Sequence, residues 1–356
     1  MKKVNVAIIG AGIGYKHYIA YRALPDLYTV TAVCDMNTAR AAAFIEDDSG
    51  VEITSDFEAV LANPEIELID ICLPPHLHFD FTARAMRAGK DVICEKPLSN
   101  SVADVDRLIA ISKETGRTVY PVFQYRFGNG IARLRALIDS GLAGRAYVAA
   151  METHWNRDAD YYAVDWRGTW KGEQGGVILG HAIHMHDLLS FILGPVDSVF
   201  ARLDTRVNDI EVEDCGALSI QMSSGALATS SVTLGAGNDT SRLRFCFEGV
   251  TAESGSRPYA PAEDNWTFVA RAPVTQGQID AVIAATPDQS GGQVGFSLQV
   301  YNAMRGLESE VVNIDEARRS IEFVSAVYQS SRTGAPVHLP LNVGDSTYDG
   351  WEPAPV

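Results

Sequence analysis

The chain has 356 residues, enough for about two domains, and its 46% hydrophobic and 21% charged residues describe a globular rather than a disordered polypeptide. Lysine and arginine number 29 against 45 acidic residues, a formal charge of −16 that argues against nucleic acid or an anionic membrane surface as a general partner. No apolar run reaches the ~18–20 residues of a membrane span, the opening Met1-Lys2-Lys3-Val4-Asn5 shows no signal-peptide pattern, and the scattered Cys34, Cys72, Cys94, Cys215 and Cys246 lack any Cys-x-x-Cys pair, so a cytoplasmic protein with reduced thiols is expected.

Along the first 125 residues two textures alternate. Val4–Ile9, Thr29–Cys34, Leu68–Leu73, Asp91–Cys94 and Thr118–Val122 are short apolar, β-branched runs. Between them His17–Leu24, Thr38–Ile45, Asp56–Leu61, Phe79–Ala88 and Val102–Thr115 read as helices. Strand and helix in strict alternation predict a parallel sheet covered on both faces, which also explains why the strands are continuously apolar. After a helix at Ile131–Asp139, strand-like segments follow one another: Ala146–His154, Val199–Val207, Gly216–Met222, Ala226–Thr233 and Arg242–Glu248. One helix, Val177–Leu193, interrupts them, and two more, Val294–Gly306 and Asp315–Ser331, close the domain. This predicts an α+β domain on a largely antiparallel sheet. The Pro-, Gly- and Asp-rich tail, 342–356, is expected to be loosely held.

Gly10-Ala11-Gly12-Ile13-Gly14 follows the first strand and opens a helix. Glycines there permit a tight turn and close backbone approach to a pyrophosphate, and the helix start offers free N–H groups. Asp35 closes the second strand, where a carboxylate accepts ribose hydroxyls and repels a 2′-phosphate; NAD is therefore expected over NADP, with Arg40 close enough to blur the preference. The loop is one residue shorter than Gly-x-Gly-x-x-Gly, since Tyr15 stands where the third glycine would fall. Further along, Leu73-Pro74-Pro75-His76-Leu77-His78 and Glu95-Lys96-Pro97 follow the ends of two more strands, on the sheet edge where open parallel sheets bind ligands.

These segments, with Gln124-Tyr125-Arg126-Phe127, Trp166-Arg167, Gly175-Gly176…His184…Asp187 and Ser330-Ser331-Arg332-Thr333-Gly334-Ala335-Pro336-Val337, occur in an order that resembles the Gfo/Idh/MocA oxidoreductases, from Val4 to about Leu341. The resemblance implies a Rossmann domain (1–125), a C-terminal α+β domain with a large open sheet (126–341) and a tail (342–356), the last helix packing back on the first domain. It further implies nicotinamide-dependent chemistry on a sugar or polyol carbon, and a homodimer or homotetramer formed through the C-terminal sheet. Carried over by motif, Gly10, Gly12, Ile13, Gly14, Asp35, Pro74, His78, Glu95 and Gln124 are implied cofactor contacts, joined by Trp166 and Arg167. Lys96 matches the family's active-site lysine and His184 its histidine.

Hydride exchange at an alcohol carbon requires a base for the hydroxyl proton and a cation or donor for the developing alkoxide. The helical spacing of His181, His184 and Asp187 puts them on one broad face, and the resemblance adds Arg126, His154, Tyr162 and Trp166 to the substrate side. The family commonly carries an aspartate four residues before the histidine; here that position is Gly180, and His181 is the adjacent candidate to compensate. A metal on His-x-x-His-x-x-Asp is one alternative, but no second ligand cluster accompanies it and no metal is expected; core or helix-end histidines without function are the other. The function expected is an NAD-dependent oxidoreductase of a sugar, polyol or sugar derivative, Lys96 and His184 handling the proton. Two alternatives stand beside it: a redox-neutral enzyme that oxidises transiently, eliminates and re-reduces, and a non-catalytic NAD(P)-binding regulator.

Overall fold

The computed structural model describes residues 2–45 and 50–353. From the N-terminus the elements are β1 (Val4–Ile9), α1 (Gly14–Arg22), β2 (Tyr28–Cys34), α2 (Thr38–Ile45), β3 (Glu52–Thr54), α3 (Phe57–Ala62), β4 (Leu68–Ile71), α4 (His78–Arg87), β5 (Asp91–Cys94), α5 (Val102–Thr115) and β6 (Val119–Pro121). Then follow α6 (Asn129–Asp139), β7 (Ala146–Asn156), α7 (Val177–Gly180), α8 (Ile183–Leu193), β8 (Val196–Asp204), β9 (Cys215–Met222), β10 (Leu227–Thr233), β11 (Gly235–Phe247), β12 (Val250–Glu253) and β13 (Thr267–Ala270). The chain closes with α9 (Gln276–Ala285), α10 (Gly292–Met304), α11 (Ile314–Thr333) and β14 (Val337–His338). Two compact units result: Met1–Val122 with Gln293–Arg318, and Phe123–Gly292 with Arg319–Val356.

In the first unit six parallel strands take the order β3-β2-β1-β4-β5-β6. Order reverses at β1, and β1 delivers the glycine loop, so this loop sits at the switch point where parallel sheets open a crevice. Val4, Val6, Ala7, Ile8 and Ile9 in β1 and Leu68, Ile69 and Ile71 in β4 are buried, as strands covered on both faces must be. Helix α5 starts on Ser101, whose Oγ accepts the Asp104 N–H at 3.0 Å, and stops at Gly116, which supplies φ +67°. Lys90, just before β5, is buried and donates its ammonium to the Asn63 and Ile66 carbonyls (2.6 and 2.8 Å), tying down the segment between α3 and β4. Residues of α10 belong here too: Tyr28 donates its hydroxyl to the Ser297 carbonyl at 2.7 Å, and Arg305 reaches Glu67 and the Lys2 and Lys3 carbonyls.

In the second unit eight strands run β13-β12-β11-β7-β10-β9-β8-β14, antiparallel throughout except for the parallel pair β7–β10. The expected fold class is what the structure shows. Several short strands escaped the sequence reading, β3, β12, β13 and β14, because runs of two to four residues carry too little periodicity, and the ten-residue α9 escaped it as well. Two expectations are corrected. The helix expected over Val177–Leu193 is broken: α7 ends at Gly180, and the His181 and Ala182 amides both donate to the Val177 carbonyl (3.2 and 2.8 Å) before α8 begins. Glycine is the weakest helix former after proline, and the break falls on it. The tail beyond Leu341 is held rather than loose. Trp351 is 1% exposed, stacks on Tyr328 (5.6 Å between centroids) and donates its Nε1–H to the Gln174 carbonyl at 2.7 Å, while Thr347 donates to the Ser325 carbonyl. Burying one large aromatic there outweighs the loop character of its neighbours; residues 354–356 of that tail lie outside the described residues. No helix among the described residues is long and apolar enough to cross a membrane.

Candidate active site

The first unit assembles its residues along the carboxyl edge of the parallel sheet. Gly10 adopts φ +107°, and a Cβ there would stand 2.4 Å from the Cys72 carbonyl oxygen, so only glycine allows this turn. Gly14 packs against the sheet, where a Cβ would come within 2.8 Å of Ile8 Cγ2. Gly12 differs: nothing lies within 4 Å of where its Cβ would be. Ile13 precedes α1 without any side-chain cap, and the first turn of α1 carries no acidic residue. Uncapped N–H groups at an uncluttered glycine receive an anion well.

Asp35, at the end of β2, accepts the Ala11 N–H on Oδ2 (2.6 Å), the Asn37 N–H on Oδ1 (2.7 Å) and the Arg40 guanidinium on Oδ2 (2.7 Å). Burial pushes its carboxyl upward, but these donors outweigh burial and hold it below the ordinary aspartate value. Pro74 leads into a short turn at Pro75–Leu77, and His78 starts α4 buried, Nδ1 lying 2.6 Å from the Pro97 carbonyl and Nε2 2.8 Å from that of Leu73. Both ring nitrogens are thus occupied by backbone, so His78 clasps the turn after β4 to the one after β5. Burial lowers its pKa, despite those carbonyls. Glu95 is buried and its Oε2 accepts the Lys96 N–H at 3.0 Å; Lys96 itself is half-buried.

In the second unit His184 lies on α8, buried, its ring stacked on Tyr125 (4.3 Å, 19°) with the edge of Phe123 at 5.8 Å. Arg126 and Asp187 are buried together in a two-pronged pair, Nε to Oδ2 at 2.7 Å and the terminal nitrogen to Oδ1 at 2.6 Å, with the guanidinium over Phe191. That pair ties the Gln124–Arg126 turn to α8. His181 stands at the helix break, its Nε2 3.4 Å from the Tyr161 hydroxyl and its ring against the edge of Trp155. Tyr162 packs edge-on against Tyr161, and Arg167 places its Cζ 3.8 Å from the Tyr161 ring centroid and 5.3 Å from that of Trp166. Arg167 Nε and Gln124 Oε1 are buried without a hydrogen-bond partner among the described residues.

His154 does not join this group. Along β7 the buried residues Ala149, Met151, Thr153 and Trp155 alternate with His154's face, so His154 turns to the opposite side of the sheet from Trp155 and His181, where its Nε2 meets Ser231 Oγ at 2.9 Å.

Residues 4–123 match the model of the oxidoreductase family with an NAD-binding Rossmann fold, and residues 131–253 match that of the GFO/IDH/MocA C-terminal domain. The chain belongs to the GFO/IDH/MocA oxidoreductases. It is 27% identical over 265 residues to the uncharacterized oxidoreductase YrbE of Bacillus subtilis, covering 72% of this chain and 75% of YrbE. To levoglucosan dehydrogenase of Pseudarthrobacter phenanthrenivorans it is 26% identical, covering 61% of this chain and 58% of that enzyme. Among solved structures, the WlbA dehydrogenase of Bordetella pertussis in complex with NADH and UDP-GlcNAcA superposes with a TM-score of 0.83 at 26% identity, over 96% of this chain and 100% of WlbA.

The residues of this GFO/IDH/MocA chain suit the cofactor its first unit is built for. The space at Gly12, the uncapped start of α1 and the ionised Asp35 at the end of β2 are the three features that a pyrophosphate and an adenosine ribose require. Several buried acids among the described residues were missed from sequence, and three of them shape the elements around the site. Asp70 sits fully buried within β4 beside His17; a charge inside the run Leu68–Leu73 was the available signal. Glu213 accepts the Gly176 and Ile178 amides (3.1 Å each) and the Tyr328 hydroxyl (2.9 Å), holding the start of α7, and burial pushes it up to about 7 against those donors. Glu173 is buried, takes the Gly168 N–H at 2.7 Å and places Oε1 3.7 Å from where a Cβ on Gly180 would stand. No local pattern announces Glu173, because loop geometry alone brings it there.

Proposed function

We propose that the chain interconverts a hydroxyl and a keto carbon of a sugar, polyol or sugar derivative, with Lys96 and His184 handling the proton. The observation that carries this reading is Lys96 itself: its amide is pinned by Glu95 directly after β5, at the sheet edge that also carries the glycine loop and Asp35. NAD, when bound, supplies the nicotinamide ring that takes up or returns the hydride. Gly10–Gly14 and the first turn of α1 hold the phosphates through backbone N–H groups, which suits a chain of net charge −16. Asp35 selects NAD over NADP by accepting ribose hydroxyls; one lone-pair site remains on Oδ1 beside the Asn37 bond.

The Lys96 ammonium stabilises the alkoxide as the hydroxyl loses its proton, and the His184 imidazole accepts that proton; such general-base help is worth about 10²–10⁴ in rate. Arg126 and Asp187 serve by neutralising each other and fixing α8, which sets the His184 ring against Tyr125. At Gly180 the nearest carboxylate is Glu173, so that acid rather than His181 is the compensating negative charge in this reading. Trp166, Tyr161, Tyr162 and Arg167 offer aromatic faces and a guanidinium to a sugar and any acidic substituent. The levoglucosan and UDP-GlcNAcA named for the relatives above support this substrate class. Assembly into a homo-oligomer through the second unit's sheet is part of the proposal, supported by Val148 and Leu227, register partners on its open face that are 47% and 55% exposed.

A panel of sugars, polyols and nucleotide sugars with NAD, followed at the NADH absorbance, tests the reading. Turnover that survives in Lys96→Ala would overturn the assignment of the lysine. Failure of the chain to bind NAD in calorimetry would overturn the whole.

A further inference from the structure

His17, Asp70 and Tyr21 form a chain of buried polar groups that leads to Glu95 and has no role of its own in the proposed chemistry. His17 is 1% exposed on α1; Asp70 on β4 is 0% and Glu95 after β5 is 7%. His17 Nδ1 lies 2.8 Å from Asp70 Oδ2, and Nε2 lies 3.0 Å from Glu95 Oε1. Tyr21, one turn further along α1, donates its hydroxyl to the same Asp70 oxygen at 2.7 Å, and the Cys72 thiol reaches Oδ1 at 3.5 Å. On the far side, Glu95 Oε2 takes the Lys96 N–H.

We propose that His17 is a positioning residue for Lys96: by bridging Asp70 and Glu95 it locks the Glu95 carboxylate, and the locked carboxylate fixes the backbone from which Lys96 projects. Two carboxylates flank the two ring nitrogens, and carboxylates only accept, so the ring must donate on both sides as the imidazolium. The charges agree. An unpaired carboxylate inside a parallel sheet is strongly disfavoured, and the imidazolium satisfies two at once. Burial by itself lowers the His17 pKa, but the Asp70 charge, aided by Cys72, outweighs it and the pKa rises well above the ordinary value; Tyr21 and Cys72, the other titratable neighbours, are pushed up and stay neutral. Glu95 Oε1 thus faces His17 on α1 while Oε2 holds the Lys96 N–H, and removing the His17 donor loosens the carboxylate on the α1 side. A misplacement of ~1 Å at a reacting group costs up to about 10²-fold in rate.

The inference rests on the proposed role of Lys96 for its catalytic consequence, but its structural core is read without turnover. Residue-resolved amide hydrogen exchange on the full chain without substrate is compared between the native protein, His17→Gln, and Glu95→Ala as the ceiling for complete loss of the acceptor. The expected result is Lys96 N–H exchange about tenfold faster or more in His17→Gln, approaching Glu95→Ala, with the Val92–Cys94 amides of β5 unchanged. In the turnover assay the same variant lowers kcat about 10²-fold while the KM for NAD stays within about threefold. Should His17→Gln not fold, His17→Met with Asp70→Asn removes donor and lone carboxylate together and carries the same expectation. Native Lys96 protection in either folded variant overturns the positioning role. If Lys96→Ala turns over normally but exchange responds as expected, the proposed function fails and the positioning stands.

Discussion

Gly12→Ala separates folding from cofactor binding in a way the neighbouring glycines cannot. At Gly10 the added methyl meets the Cys72 carbonyl oxygen at 2.4 Å with φ at +107°, and at Gly14 it meets Ile8 Cγ2 at 2.8 Å. At Gly12 it meets nothing within 4 Å, and φ lies outside the left-handed range. The folded protein should therefore tolerate Gly12→Ala and gain up to about 0.4–1 kcal/mol from a stiffer unfolded chain. The pyrophosphate, however, needs that space. Losing one charge-assisted N–H···phosphate bond, worth about 1.5–3 kcal/mol, weakens NAD by roughly 10- to 150-fold. Gly10→Ala should instead lower Tm, since the backbone strain costs about 1–2 kcal/mol before the overlap with Cys72 is relieved. Thermal unfolding and calorimetric titration with NAD on both variants check this. Native NAD affinity in Gly12→Ala, or a Tm loss as large as that of Gly10→Ala, would refute the assignment of the open side of Gly12 to the phosphates.

Asp35→Ser should move the ratio of NAD to NADP affinities toward NADP by about tenfold or more, because the repelling carboxylate goes while Arg40 stays; the ratio of the two Kd values reads it. Asp187→Ala removes the two-pronged acceptor of the buried Arg126 guanidinium and should cost about 3–5 kcal/mol in urea unfolding, of which Asp187→Leu with Arg126→Met recovers most. Trp351→Ala should cost about 3–5 kcal/mol by the same measurement, where a loose tail would cost nothing. His186 sets the acid side. Burial drops its pKa from 6.5 to about 3, so the unfolded chain binds the proton first and stability falls as pH drops below about 6.5. His186→Gln should flatten Tm against pH over that window, and an unchanged acid slope would show that other groups dominate it.

The sequence by itself determined the parallel first sheet, the glycine turn, a helix after it (expected at His17–Leu24, found at Gly14–Arg22) and the placement of Asp35 and Lys96 at strand ends, because each follows from short-range patterns: continuous apolar strands, closely spaced glycines, an acid or lysine at a strand's end. Periodicity misled once where a local conflict decided the outcome. Ideal helical spacing put His181 on the face of His184, but α7 ends at Gly180 and the helix restarts only at Ile183, so the two histidines do not share one helix. The partners of buried charges were beyond local reading altogether. Arg126 meets Asp187 across 61 residues, His17 meets Asp70 across 53 and Glu95 across 78, and Glu173 comes to Gly180 only through a folded loop. A buried charge must find its opposite, but which one it finds depends on how helices lie on sheets, and that only the tertiary structure decided.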